Sequence, residues 1–477
     1  MSYTVAQNTT FLTSASVLQK VISFLYFVLI ARLIGVENTG AYFFAITFTT
    51  IFTVVADFGF APVLTRETSR NPENSEKYLN TVLLTKILFG LGAYALVIFF
   101  VNLLNYPALT KDLIYLSGIT MFFDNIQTVF YSVFRARKNL IYESIGIVGA
   151  QFITLIIGTI ALLNHWPLVW LIIAYTVPSF LNCLYSGFFV RKVFSLKFNF
   201  VFDQKVFKIF LITALPFAIA GIIGRLYSYS DSLLMSKMLT AKELGWWSVP
   251  YKITFAFQFI PVALSASVYP VFSSLFVSDK PQIGPLFEKS WRYLFTIVFP
   301  LAIGLIVLAD PVIKRVYTAS YAPSVMPLRI LLVSLVFGFL ALITGALLNA
   351  TNKQKIQTGL ITGALIIDVI SNLILMPRLG ITGAAISALI SNFFLWAGGY
   401  YFSSRQVDIS FKNILKYFNQ TFWPAVLMGV VVYFLNFKIS FIFAIPIGAV
   451  LYFALLFITG GIDKEKILKI KSKIIKK

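Results

Sequence analysis

The chain has 477 residues, 58% of them hydrophobic and only 12% charged, with 39 Lys and Arg against 18 Asp and Glu for a net charge of +21. Soluble domains carry about 25% charged residues, so this balance indicates an integral membrane protein. A single cysteine, Cys183, excludes an intramolecular disulfide framework, and a single histidine, His165, leaves no His-based zinc site or catalytic His dyad.

In chain order, the first apolar run is Phe11–Ile30, which contains Lys20. It follows a polar, uncharged decapeptide and is long enough to span, so no cleavable signal peptide is expected. Further runs of roughly 20 residues give about fourteen predicted spans, centred near residues 22, 50, 90, 123, 153, 178, 219, 257, 302, 339, 366, 391, 427 and 449. Polar or turn-rich breaks separate them, among them residues 70–77, 134–139, 191–199, 278–282, 351–355 and 404–408. His165 falls in the short break after the fifth span, beside Trp166 and Pro167, and reads as an interfacial residue.

The excess of basic residues is a matter of sidedness. Counted by alternate breaks, one side holds about 26 Lys and Arg, including the tail Lys464–Lys477, and the other about 9. The positive-inside rule then puts both termini in the cytoplasm, as an even number of spans requires. Nucleic-acid binding is not expected, because the charges lie in short breaks and not on a basic soluble face with interleaved aromatics.

An internal repeat organises the chain. Arg32-Leu-Ile-Gly-Val-Glu-Asn-Thr-Gly40-Ala-Tyr42 aligns with Lys237-Met-Leu-Thr-Ala-Lys-Glu-Leu-Gly245-Trp-Trp247 at an offset of 205, and Arg135–Asn139 aligns more weakly with Asn349–Lys353 at 214. Six spans per half make the repeats parallel. The predicted organisation is an all-α polytopic membrane protein with two six-helix lobes, residues 1–199 and 200–404. Two extra helices in 405–463 and a Lys-rich tail, 464–477, follow.

Lys20 and Arg225 stand inside apolar stretches at matching places in the two halves, and each is followed twelve positions later by another basic residue, Arg32 and Lys237. A charge in hydrocarbon costs several kcal/mol, roughly, so it usually faces a watery cavity or a partner. The pair therefore suggests a polar cavity that handles an anion. Lys252 is a third candidate. Arg32 and Lys237, at the outer ends of their spans, are candidates for outer contacts or interfacial anchors. Lys86, near the start of the third span, is expected to snorkel. Asp57, Asp124, Asp231 and Asp368 are intramembrane acids that either neutralise these cations or couple transport to an ion. Asp231, six residues after Arg225, lies about 240° further around the helix and does not face it.

Two passages, residues 11–44 and 366–391, resemble the multidrug/oligosaccharidyl-lipid/polysaccharide exporter superfamily, specifically its polysaccharide-type flippases of the Wzx and O-antigen-transporter kind. The resemblance implies two six-helix lobes around a central cavity. It implies alternating access that carries a polyprenyl-diphosphate-linked oligosaccharide from the cytoplasmic to the outer leaflet, with no enzyme chemistry and no cofactor or metal. Lys20, Arg225 and Lys252 would then hold the diphosphate, membrane lipid would accommodate the prenyl tail, and a glycan polymerase or glycosyltransferases would be partners. Rival readings are a Na⁺- or H⁺-coupled multidrug extruder or a lipid II flippase of the same superfamily, and a membrane-embedded glycan polymerase or ligase. Cavity cations argue against the first, and the absence of a long loop argues against the last.

Overall fold

The computed structural model describes residues 4–199 and 201–461. The Lys-rich tail singled out above lies outside these described residues. Every element among them is helical. Within a bilayer this follows from the need to satisfy each backbone N–H and C=O inside the segment itself.

The chain opens with α1, Val5–Asp57, whose start is closed by a reciprocal cap: the Thr4 hydroxyl accepts from the backbone N–H of Gln7, and the Gln7 side chain accepts from the N–H of Thr4. Gly35, at φ +79° and ψ 170°, breaks α1 into two arms, a conformation that only glycine adopts readily. Phe58 and Gly59, both left-handed, turn the chain into the short α2, Phe60–Arg70. Its buried residues Phe60, Val63, Leu64 and Thr68 form one stripe, leaving Arg66 and Arg70 on its other face. Next come α3 (Ser75–Leu103), α4 (Ala108–Ala136), α5 (Ile141–Leu163), α6 (Val169–Phe194) and α7 (Gln204–Met238). Then follow α8 (Ala241–Phe257), α9 (Phe259–Ser278), α10 (Ile283–Val312), α11 (Val325–Ala350), α12 (Gln354–Leu379), α13 (Ile381–Ser404), α14 (Phe411–Leu435) and α15 (Phe441–Ile458).

Among the described residues, 12 helical segments are long and apolar enough to cross a membrane, against about fourteen spans counted from the sequence. The difference has two sources. The first segment, Gln7–Arg70, contains both predicted centres near 22 and 50, divided only by the Gly35 break. The centre near 123 falls on α4, which carries Asp112, Asp124, Asn125 and Gln127 and is too polar to qualify.

The chain separates into two compact units, the first running to Ser248 and the second starting at Val249. The first unit therefore takes in α7 and the start of α8, which the repeat assigns to the second half. Contact in one conformation and membership of a repeat are different criteria, and α7 packs on α1 and α2.

Two corners at the repeat offset share one hydrogen-bonded helix ending, which also closes α3 at Leu104–Tyr106 and α5 at Asn164–Trp166. In the α4–α5 hairpin, the N–H groups of Arg137, Lys138 and Asn139 donate to the carbonyls of Val133, Arg135 and Phe134. In the α11–α12 hairpin, those of Thr351, Asn352 and Lys353 donate to Leu347, Asn349 and Leu348. All three bonds repeat at the offset of 214, and the residue at the bend is left-handed both times, Lys138 at φ 53° and Asn352 at φ 61°. A second correspondence joins the start of the third helix of each half to the linker leaving its sixth. Glu76 accepts from Lys197 N (3.2 Å) and Asn199 Nδ2 (2.9 Å). Glu288 accepts from Ser410 N (2.6 Å) and Asn413 Nδ2 (2.8 Å). Packing agrees: α6 rests on α4 and α5 as α13 rests on α11 and α12.

The two extra helices are fastened to α10. Phe295 and Phe299 meet Phe418 edge-on, the Tyr452 hydroxyl donates to the Thr296 carbonyl (3.1 Å), and Arg292 donates to the carbonyls of Gly460 and Gly461.

Candidate functional site

On α1, Lys20 is exposed, about 13 Å along the axis from the start of its apolar run. Arg32 is exposed just before the Gly35 break. At the end of the helix, Asp57 accepts from Lys86 Nζ on α3 at 2.6 Å, and Thr128 Oγ1 on α4 accepts from the same ammonium. Lys86 is 0% exposed and the Asp57 side chain 32% exposed. Lys86 therefore does not snorkel: it lies too deep, and an acid and a hydroxyl meet it where it is. Asn125 secures the arrangement by donating to the Lys86 carbonyl at 2.9 Å, while Thr128 donates to the Asn125 carbonyl at 2.7 Å. Asp124, the neighbour of Asn125, is exposed on α4.

The α7 helix begins with Asp203 at its cap, whose carboxylate accepts from Val206 N (2.9 Å) and pairs with Lys77 (2.8 Å). These hydrogen bonds, with the Lys77 ammonium foremost, hold the Asp203 carboxyl below its ordinary pKa. Further on, Arg225 is exposed and Asp231 is buried, with continuous helix through both. The two thus occupy different faces, as their spacing predicts. Lys237, at the far end, donates to the Leu104 carbonyl at the C-terminus of α3 and lies 3.7 Å from the centroid of the Tyr106 ring. Tyr106 in turn shares a hydrogen bond with Ser236 (2.8 Å). A cation at a helix C-terminus and over an aromatic face is an anchoring contact.

In the second unit, Lys252 is half-buried on α8. Asp368 on α12 is buried, and its two oxygens accept from Asn372 Nδ2 (3.1 Å) and from Ser391 Oγ on α13 (3.3 Å). Alongside, Asn392 donates to Ser334 on α11 (2.9 Å), which donates to the Ala388 carbonyl. These groups make a small polar centre inside an otherwise apolar three-helix contact.

Of the residues singled out from the sequence, Asp57 and Asp368 are thus built into polar centres, Lys237 into an anchor, and Lys20 and Arg225 stand on exposed helix faces. Sequence reading missed the Asp57–Lys86 pair, because nothing in two separate spans fixes which faces meet. It also missed Glu76 and Glu288, although their spacing of 212 lies between the two repeat offsets and could have identified them.

Residues 5–276 match the family described as polysaccharide biosynthesis protein, which is more than half of the chain. The chain belongs to this family. Among its relatives, a capsular polysaccharide biosynthesis protein, CapF, of Staphylococcus aureus is 22% identical over 84% of the chain and 99% of the relative. A putative O-antigen transporter of Shigella flexneri is 28% identical over 43% of the chain and 49% of the relative. The fold matches a lipid II flippase, MurJ, in an inward closed conformation, at a TM-score of 0.77 and 18% identity over 96% of this chain and 99% of that one. An inward-facing multidrug resistance transporter of the exporter superfamily follows at 0.67 and 13%, over 81% and 94%. The chain is thus a multi-pass membrane protein with the fold of that superfamily.

Proposed function

We propose that this family member is a flippase that carries a polyprenyl-diphosphate-linked oligosaccharide from the cytoplasmic to the outer leaflet. One observation carries the reading: in a chain of the polysaccharide biosynthesis family, Lys20 and Arg225 hold exposed positive charge within apolar helices. A diphosphate is the densely charged part of such a lipid and the part that hydrocarbon excludes. Fixed cations in a low-dielectric setting attract it far more strongly than the same charges in water. In this reading Lys20, Arg225 and Lys252 hold the diphosphate while the two halves of the repeat, 1–199 and 200–404, rock about it, and the prenyl tail stays in lipid. Arg32 and Lys237, at the outer ends of their spans, would meet the diphosphate after crossing.

The protein would lie in the cell membrane with both termini cytoplasmic, beside the glycosyltransferases or polymerase that make and use the glycan. In the same reading Asp368, buried and bonded to Asn372 and Ser391, would take up a proton or a sodium ion during the cycle. Asp57, already matched by Lys86, is read as a charge partner.

The test is complementation. Expressed in a host that lacks its own flippase and accumulates lipid-linked glycan inside, the wild-type chain should restore surface glycan without altering resistance to cationic drugs. Drug resistance without surface glycan would instead support an extruder. Rescue of peptidoglycan synthesis in a lipid II flippase-depleted host, without rescue of surface glycan, would move the substrate to lipid II.

A further inference from the structure

The two copies of the repeated motif touch each other through their glycines. A methyl group added at Gly40 would lie 1.8 Å from the Ala241 carbonyl oxygen and 2.7 Å from Gly245 N. One added at Gly245 would lie 2.0 Å from the Val36 carbonyl oxygen. At the repeat offset of 205, Gly40 corresponds to Gly245 and Val36 to Ala241. The contact is therefore isologous: each glycine packs on the carbonyl of the residue four positions before the other, as across a two-fold axis. Main chain meets main chain here, which only glycine permits.

Both sides are prepared for it. On α1, Gly35 breaks the helix, and the side chains of Asn38 and Thr39 donate to the carbonyls of Ile34 and Gly35 at the break (3.0 and 2.7 Å). On α8, a reciprocal cap fixes the first turn: Glu243 N donates to Thr240 Oγ1 (3.2 Å) and Thr240 N to Glu243 Oε2 (2.9 Å).

We propose that this two-fold glycine contact is the gate at the outer end of the transport pathway, closed in this conformation and parted once in every cycle. The proposal rests on the flippase reading above and on its sidedness. Its chemistry suits a gate. A surface formed mainly by backbone can separate without stranding a buried charge or emptying a side-chain pocket. The contacts it makes, Cα–H against carbonyl oxygen, are individually weak. Its two-fold character also lets both halves of the repeat withdraw equivalently.

The experiment uses the full chain carrying Cys183→Ala, Glu37→Cys and Lys242→Cys. Glu37 and Lys242 are exposed and correspond to each other within the two motifs. Treatment with a short, reducible bis-methanethiosulfonate should join the two thiols, stop the appearance of new surface glycan, and allow it to resume on reduction. Failure of the thiols to join in folded protein would overturn the contact. Joined protein that translocates at the unjoined rate would overturn the gate. Gly40→Leu and Gly245→Leu, at normal membrane levels, should abolish both cross-linking and surface glycan, with Gly40→Ala reducing both. Leucine variants that translocate normally would also overturn the gate. A wild-type chain that restores no surface glycan would overturn the flippase reading itself, a failure distinct from any confined to the treated or substituted proteins.

Discussion

The two halves of the repeat share a frame and differ in charge. The hairpins at Val133–Asn139 and Leu347–Lys353 carry the same three hydrogen bonds and the same left-handed bend. Glu76 and Glu288 grip equivalent linkers. The interior acids have no such correspondence. At the offset relating Glu76 to Glu288, the buried Lys86 corresponds to the buried Val298; at the hairpin offset, Asp368 corresponds to Thr154. Asp57 accepts from the Lys86 ammonium, and Asp368 accepts from Asn372 and Ser391. Corresponding contacts keep a common scaffold, while the buried charged residues differ between the halves.

The largest effect expected from breaking this asymmetry is at Lys86. Lys86→Met leaves Asp57 without its partner and should cost about 3 kcal/mol or more of stability, read as a fall in the unfolding midpoint in detergent. Adding Asp57→Asn should recover most of it; no recovery would mean that packing, and not charge, holds the site. In the second half, Asp368→Asn should leave stability within about 1 kcal/mol, because the amide keeps most of the hydrogen bonding. It should abolish any dependence of translocation on pH or sodium, and an unchanged ion dependence would remove Asp368 from coupling.

The shared frame can be tested too. Glu288→Gln should cost roughly 1–2 kcal/mol, since its two bonds are part-buried, and Glu76→Gln less, since its bonds are exposed. The smallest effect is expected at Asp203, whose pKa lies below its ordinary value near 3.9. Its contribution is complete above the unfolded pKa and is lost as pH falls through the lower folded one. Asp203→Asn should keep the cap and flatten the acid limb of the stability–pH curve. An unchanged limb would show that the Lys77 pair contributes nothing.

Much of this was legible in the sequence because membrane helices are written as uninterrupted apolar runs and repeats survive where backbone geometry demands particular residues. Gly40 and Gly245 align because no other side chain fits their contact. The span count was less legible, since α1 joins two runs through Gly35 and α4 carries enough polar groups to blur one. Side-chain partners were least legible. Lys86 reads like any snorkelling lysine until α1 and α4 are seen to bring Asp57 and Thr128 to it. The anchoring of Lys237 depends on the loop after α3, more than a hundred residues away in sequence.

If the charges of Lys20 and Arg225 hold a diphosphate, removing either one should slow its passage. The most direct measurement is the rate at which surface glycan appears in flippase-deficient cells carrying Lys20→Ala, Arg225→Ala, or the charge-retaining Lys20→Arg and Arg225→Lys, each at equal membrane abundance. Each alanine variant should slow translocation about tenfold or more, and the charge-retaining variants should keep a substantial part of the rate. Alanine variants that translocate at the wild-type rate would contradict this.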